Sequence, residues 1–237
     1  MKPKRVEQTL SRYGYCSRRE SKAWLRQGRV TLVDGSVVKN PALKVDPQAL
    51  LIDEQTIDHP EGLFLMLHKP LGYVCSHTAP PGENIYELLP ELWMARNPQP
   101  TTVGRLDKET SGLILVTDLG EVVHRWTSPR YRKPKVYEVT VDAPLRSSLI
   151  KRFAKGDIVL EGEEKPCLPA ELVFVTEHKA SLTLYEGRYR QVRRMFKHFN
   201  YEVLALHRSR IGDFELGNLQ PGAFCVLPLE SADAPSE

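Results

Sequence analysis

Gly104-Arg105-Leu106-Asp107-Lys108-Glu109-Thr110-Ser111-Gly112-Leu113-Ile114-Leu115-Val116 is the stretch on which the reading of this chain turns. Its first half is polar and bracketed by glycines, which accept the backbone angles of tight turns. Its second half is an unbroken apolar run, the pattern of a strand buried on both faces. A short polar loop feeding such a strand holds its side chains on rigid backbone, so Asp107 beside Arg105 reads as an active-site loop. An isolated Arg-x-Asp beside a glycine is most often an Asx turn, and the rest of the chain has to decide.

Beyond that strand, Asp118 can cap a helix over 119–126, whose apolar Leu119, Val122, Val123 and Trp126 keep the i, i+3, i+4, i+7 spacing. A second helix over 190–199 sets Val192, Met195, Phe196 and Phe199 against Arg190, Arg194 and Lys197, with Arg193 on the boundary. Further helices are predicted at 85–95 and 146–155. Strands are predicted at 63–67, 113–117, 136–141, 170–175, 180–185, 203–206 and 224–227. Strands and helices without regular alternation imply an α+β domain on a largely antiparallel mixed sheet with flanking helices.

The N-terminal part reads differently. Ser17-Arg18-Arg19-Glu20 has the form of a capping box, opening a helix that Gly28 stops. Val30–Val33 and Val37-Val38 flank Asp34-Gly35, a favoured hairpin turn, and Leu50–Ile52 is a third strand. Residues 1–58 form a small α/β domain on this reading, 59–62 a linker, 63–229 the second domain and 230–237 a disordered tail.

Charge narrows the function. Among residues 1–29, nine Lys and Arg face only Glu7 and Glu20. Arg125, Arg130, Arg132, Lys133 and Lys135 form a second cluster, and Arg188, Arg190, Arg193, Arg194, Lys197, Arg208 and Arg210 a third, opposed only by Glu202. Three separated clusters suit a polyanion, although any one of them is also what a solvated face looks like. Without an 18-residue apolar run or a signal-like start, the chain is expected to be a cytoplasmic monomer with no membrane contact. Cys16, Cys75, Cys167 and Cys225 are far apart and read as structural thiols, and the histidines lack ligand spacing, so no metal is expected.

Arg5-Val6-Glu7, Gly14, Ser17-Arg18, Ala23, Gly28-Arg29-Val30, Asp34-Gly35 and Val37 resemble the S4 RNA-binding domain, with Val6-Glu7 where that family usually has Leu-Asp. The resemblance implies that Arg5, Arg18, Arg19, Lys22, Arg26 and Arg29 face RNA phosphates; Arg18, Lys22 and Arg26 are spaced for one helical stripe. Trp24 suits either core packing or base stacking.

In the second domain four ordered segments resemble the RsuA-type ribosomal RNA pseudouridine synthases. They are Lys69-Pro70-Leu71-Gly72-Tyr73-Val74, the stretch around Asp107, Lys135-Val136-Tyr137, and Glu186-Gly187-Arg188-Tyr189-Arg190-Gln191-Val192-Arg193-Arg194-Met195-Phe196. The resemblance implies an enzyme that moves uracil from an N1 to a C5 bond on ribose, without metal or redox cofactor. In it Asp107 is the catalytic carboxylate, and Arg193 pairs with it to keep it ionised. Arg105 flips the target base, and Tyr137 packs against the flipped uracil. Lys69 supports the loop or contacts phosphate, while Arg188, Arg190 and Arg194 contact RNA. Whether Asp107 adds to C1′, adds to C6 or takes a proton stays open.

Tyr189 and Tyr73-Val74-Cys75-Ser76 look more like the members that act on small-subunit RNA, so the expected substrate is uridine 516 of 16S rRNA or of an assembly intermediate. The alternatives are a 23S rRNA target, a non-catalytic ribosome-assembly protein, and a glycosidase with Glu109 as its second carboxylate. A pure binder has little use for a carboxylate set among phosphates, and two residues of separation do not establish a facing acid pair.

Overall fold

A computed structural model describes residues 2–128 and 131–233. Its contacts divide the chain into two units, Met1–Phe64 with Leu89–Thr101 and Val116–Gly120, and Leu65–Leu88 with Thr102–Leu115 and Glu121–Glu237.

In the first unit, Lys4–Arg5 (β1) leads into Val6–Arg12 (α1), and Ser21–Arg26 forms α2. The capping box closes: Glu20 N donates to Ser17 Oγ and Ser17 N to the Glu20 carboxylate. It seals the turn leading into α2, so Arg18 and Arg19 lie before the helix and not on it. Val30–Leu32 (β2) turns at Gly35, where φ is +87° and the Asp34 carboxylate accepts from Ser36 N. The returning arm makes one bridge, Val37 to Thr31. After Lys44–Val45 (β3), Leu50–Ile52 (β4) pairs with β2, and Gln55–Thr56 (β5) pairs with β4. Val6, Leu10, Tyr13, Leu25, Val30, Leu50, Ile52 and Ile57 are its buried core. Each such side chain contributes roughly 1.5–3 kcal/mol through burial. Trp24 packs partly buried against this cluster, as the core reading had it.

The expected linker is pinned within this unit. The predicted helix over 85–95 splits into a 3-10 turn, Ile85–Leu88, and Glu91–Met94 (α3), because Pro90 has no amide proton and biases Leu89 away from helix. Just past α3, the Arg96 guanidinium donates to the carbonyls of Asp58 and His59. Asp118 does not cap the next helix, Gly120–Thr127 (α4); it accepts from Leu63 N at 2.7 Å and from Arg96 at 3.1 Å. The boundary expected at 58–63 therefore runs differently, with the linker and two later segments belonging to the first unit.

Most residues of the main sheet belong to the second unit. The strands of this sheet are Phe64–Lys69 (β6), Thr101–Thr102 (β7), Ser111–Thr117 (β8), Lys135–Val141 (β9), Glu171–Phe174 (β10), Lys179–Leu184 (β11), Val203–Ile211 (β12), Phe214–Glu215 (β13) and Phe224–Val226 (β14). The order is β10-β11-β9-β12-β8-β6-β14, with β13 beside β12 and β7 beside β8. Pairing is antiparallel from β10 through β9 to β12, and parallel between β12 and β8. The sheet is mixed, as expected. β12 runs well past the predicted 203–206, because His207 to Arg210 look like a charge cluster in sequence yet continue the ladder with β9.

Ser148–Lys155 (α5) and Gln191–His198 (α6) are the flanking helices. Their buried Leu149, Phe153, Val192, Met195 and Phe196 supply apolar surface, and the Phe153 and Phe196 rings meet at 5.2 Å. Leu229–Asp233 is a 3-10 turn whose Ala232 carbonyl accepts from the Trp126 indole, so order persists past the expected start of the tail. Residues 234–237 and Arg130 lie outside the described residues.

Candidate active site

Asp107 sits on a loop held by its own backbone. Gly104 turns it at φ +75°, and Thr110 N closes it on the Asp107 carbonyl at 3.0 Å. Three consecutive carbonyls then each accept from a different segment. Lys108 O accepts from Gly72 N at 2.9 Å, Glu109 O from Arg193 Nη2 at 2.9 Å, and Thr110 O from Lys69 Nζ at 2.7 Å. Segments distant in sequence thus converge on one loop and hold the backbone that carries Asp107.

Lys69 is fully buried, which rules out the phosphate contact and leaves support of the loop. Its ammonium also donates to Pro70 O at 2.9 Å. Burial lowers its pKa to about 8, partly opposed by Cys75, Asp107 and Glu109.

The carboxylate faces a small cleft lined by Arg105, Thr110, Tyr137, Leu184, Arg190 and Leu206. Its side chain is 32% exposed and stands 3.9 Å from Arg190 Nε, while Arg190 Nη2 reaches Glu109 at 3.5 Å. The expected partner, Arg193, is elsewhere: besides Glu109 O it donates to Val203 O at 2.7 Å. The reason is the helix start. Arg190 adopts φ +47° ahead of α6 and turns its side chain toward the loop, whereas Arg193, one turn into the helix, spans from the loop to β12. Arg193 positions the loop and Arg190 carries the charge beside Asp107.

Tyr137, on β9 between β11 and β12, is buried in the cleft. Beneath it lies Arg208, a residue the sequence offered only as one of a cluster. Its guanidinium is buried, lies 5.9 Å from the Tyr137 ring and donates to Leu113 O at 2.8 Å. Arg208 also helps push the pKa of Lys135 down to about 8, after burial, the larger cause. Arg105 is exposed at the mouth and makes no hydrogen bond or ion pair among the described residues.

Several expected RNA contacts are committed to the protein instead. Arg188 binds the Glu163 and Glu186 carboxylates and the carbonyls of Lys165 and Pro166. Arg194 binds Glu163, Glu161 O and Tyr189 O. Together these two arginines hold the Glu163 carboxyl below the usual range. Arg29 lies 3.5 Å over the Trp24 ring and is bidentate to Asp53, which leaves it little to offer a phosphate. Arg5, Arg18, Arg19, Lys22 and Arg26 remain exposed. No cluster of three or more His, Cys, Asp or Glu that could hold a metal occurs among the described residues.

Comparison with known proteins identifies the family of the chain. The RNA pseudouridylate synthase family model matches residues 63–198 and the S4 domain model residues 4–51. The chain belongs to the RNA pseudouridylate synthase family, and it is a pseudouridine synthase with an S4 domain at its N-terminal end. It is 40% identical to the ribosomal small subunit pseudouridine synthase A of Salmonella typhimurium, over 87% of this chain and 88% of that one. It is 39% identical to that of Yersinia pestis over 95% of each. A crystal structure of a pseudouridylate synthase superposes with a TM-score of 0.67 at 31% identity, covering 96% of this chain and 97% of the other.

Proposed function

We propose that this protein, acting as a cytoplasmic monomer, converts uridine 516 of 16S small-subunit rRNA to pseudouridine, with Asp107 as its catalytic carboxylate. The observation that carries the reading is the loop whose Lys108, Glu109 and Thr110 carbonyls are held by Gly72, Arg193 and Lys69. That preorganises one carboxylate at a cleft whose other wall is Tyr137. The relatives named ribosomal small subunit pseudouridine synthase A support the substrate class.

In the reaction the N1–C1′ bond breaks and a C5–C1′ bond forms. The proton on C5 leaves and N1 gains one, so atoms balance within the base. Asp107 serves at the reacting sugar or base, with the Arg190 guanidinium 3.9 Å from its carboxylate. Tyr137 and Leu184 offer an apolar seat for uracil, and Arg105 fills the place the flipped base leaves. Arg5, Arg18, Arg19, Lys22 and Arg26 supply phosphate contacts.

The test is to incubate the protein and Asp107→Asn with unmodified small-subunit rRNA and with assembly intermediates, then map pseudouridine. The expected result is one modified site, uridine 516, formed by the native protein alone. Equal formation by the variant, or a different site, would overturn the assignment.

A further inference from the structure

Tyr189 is 76% exposed, the barest of the exposed large apolar and aromatic side chains among the described residues. A ring so bare on a loose loop would signify little. Here the backbone beneath it is held on both sides. Arg188, immediately before it, is fixed by four side-chain hydrogen bonds, and its amide donates to Gln191 Oε1 at 3.0 Å. The carbonyl of Tyr189 itself accepts from Arg194 Nη1 at 3.1 Å. Arg190, immediately after it, holds the left-handed φ of +47° and points at Asp107 and Glu109. The residues on either side thus turn back onto the protein, and the ring between them is displayed outward.

A held backbone presenting an open aromatic face loses little conformational entropy when something stacks on it. Of the exposed arginines at this cleft, Arg190 faces Asp107 and Glu109, whereas Arg105 makes no ion pair among the described residues and is left to meet a ligand that is anionic along its backbone. An unpaired nucleotide has both properties, a π face for the ring and a phosphate for Arg105.

We propose that Tyr189 is a substrate-binding residue that stacks on an unpaired base flanking the target uridine, outside the cleft that Tyr137 lines. The inference rests on the proposed function above. Because the contact is a stack, it recognises a base that is out of its helix and not a particular sequence, so it selects the local RNA structure presented with the target.

The experiment compares the native protein, Tyr189→Phe and Tyr189→Ala on an unmodified small-subunit rRNA transcript containing uridine 516. Affinity is measured across a salt series, with melting temperature and single-turnover pseudouridine formation alongside. Tyr189→Ala should weaken binding about tenfold, the scale of losing one base–aromatic stack. Tyr189→Phe should stay within about twofold, since it keeps the ring. Neither change should move the melting temperature or the salt slope, because the ring has few protein neighbours and no charge is removed. Native-like affinity in Tyr189→Ala, equal losses in both variants, or a lowered melting temperature would overturn the stacking role. The binding arm does not depend on chemistry. Absence of pseudouridine with the native protein therefore counts against the proposed function, whereas unchanged affinity in Tyr189→Ala counts against this inference alone.

Discussion

Gly112 and Arg208 face each other on parallel neighbouring strands so closely that a Cβ on Gly112 would stand 2.2 Å from the Arg208 carbonyl oxygen and 2.5 Å from its amide nitrogen. The φ of Gly112 is +114°, which an L side chain rarely adopts. The obstacle is backbone inside a ladder, so it cannot swing away. Gly112→Ala is expected to lose about 2–4 kcal/mol of stability, from overpacking and strain together. A urea unfolding midpoint equal to the native one would contradict this.

The two arginines at the start of α6 should separate by what they control. Arg190→Ala removes the charge beside Asp107 and leaves the loop carbonyls held, so the turnover of the proposed reaction should fall with little change in melting temperature. Arg193→Ala releases Glu109 O and Val203 O together, so it should lower both. A loop displaced by about 1 Å costs on the order of a hundredfold in rate. Single-turnover rates and melting curves on both variants check the division, and a thermally silent Arg193→Ala contradicts it.

How far the sequence foretold this site follows from where each partner lies. α6 was legible because Val192, Met195 and Phe196 repeat at helical spacing, and the loop was legible because a polar turn meets an apolar run. The commitments of Arg188 and Arg194 were not, since they depend on Glu163, 25 and 31 residues away, which no local pattern brings opposite them. Arg208 was misread for a related reason. Strand β12 carries it into the interior among polar neighbours, and a charged stretch inside a sheet looks like surface until the ladder is known. The exchange between Arg190 and Arg193 turned on one left-handed residue, and no glycine marked it.

Lys69 gives the stability curve a recognisable shape. Its pKa is about 8 in the folded protein, against an ordinary value of 10.5, because burial disfavours the ammonium. Between those values the unfolded chain binds more protons than the folded one, so stability contributed by this group rises with pH. The penalty is full below about pH 8 and gone above 10.5, a span of about 3 kcal/mol. Lys69→Met removes the titration. The difference in unfolding free energy, native minus variant, should therefore climb from pH 8 to 10.5, and a flat difference would show that Lys69 titrates normally. Lys135, also lowered to about 8, should add a similar rise in both proteins and cancel from the difference.

Arg18, Arg19, Lys22 and Arg26 are exposed and carry the phosphate contacts on the proposed reading. Replacing one of them with Ala should reduce the slope of log affinity against log salt by about 0.7–0.9 for each phosphate that the residue neutralises. Arg29→Ala should behave differently, since its guanidinium is spent on Asp53 and Trp24. It should leave the salt slope unchanged and lower the melting temperature slightly. Binding titrations at several salt concentrations distinguish the two classes, and a slope change in Arg29→Ala equal to that in Arg26→Ala would reject the distinction.

The Arg96–Asp118 pair makes a sharper prediction because both partners are almost wholly buried, with side chains 2% and 3% exposed. Such a pair offsets a large desolvation cost, so removing one member strands the other. Arg96→Met leaves the Asp118 carboxylate with Leu63 N but no counter-charge, and frees the carbonyls of Asp58 and His59. A loss of about 3–5 kcal/mol is expected. Adding Asp118→Leu removes the stranded charge and should recover part of that loss. Recovery should stop short of native by about 1–3 kcal/mol, because the buried Leu63 amide then has no acceptor. Urea unfolding of the two single variants and the double variant gives the coupling directly. If the double variant is less stable than Arg96→Met, the salt bridge is not what fixes residues 58–63, and the Leu63–Asp118 hydrogen bond holds them by itself. Limited proteolysis supplies the local readout: cleavage between Asp58 and Leu63 should appear in Arg96→Met and stay slow in the native protein, since only the variant frees those carbonyls.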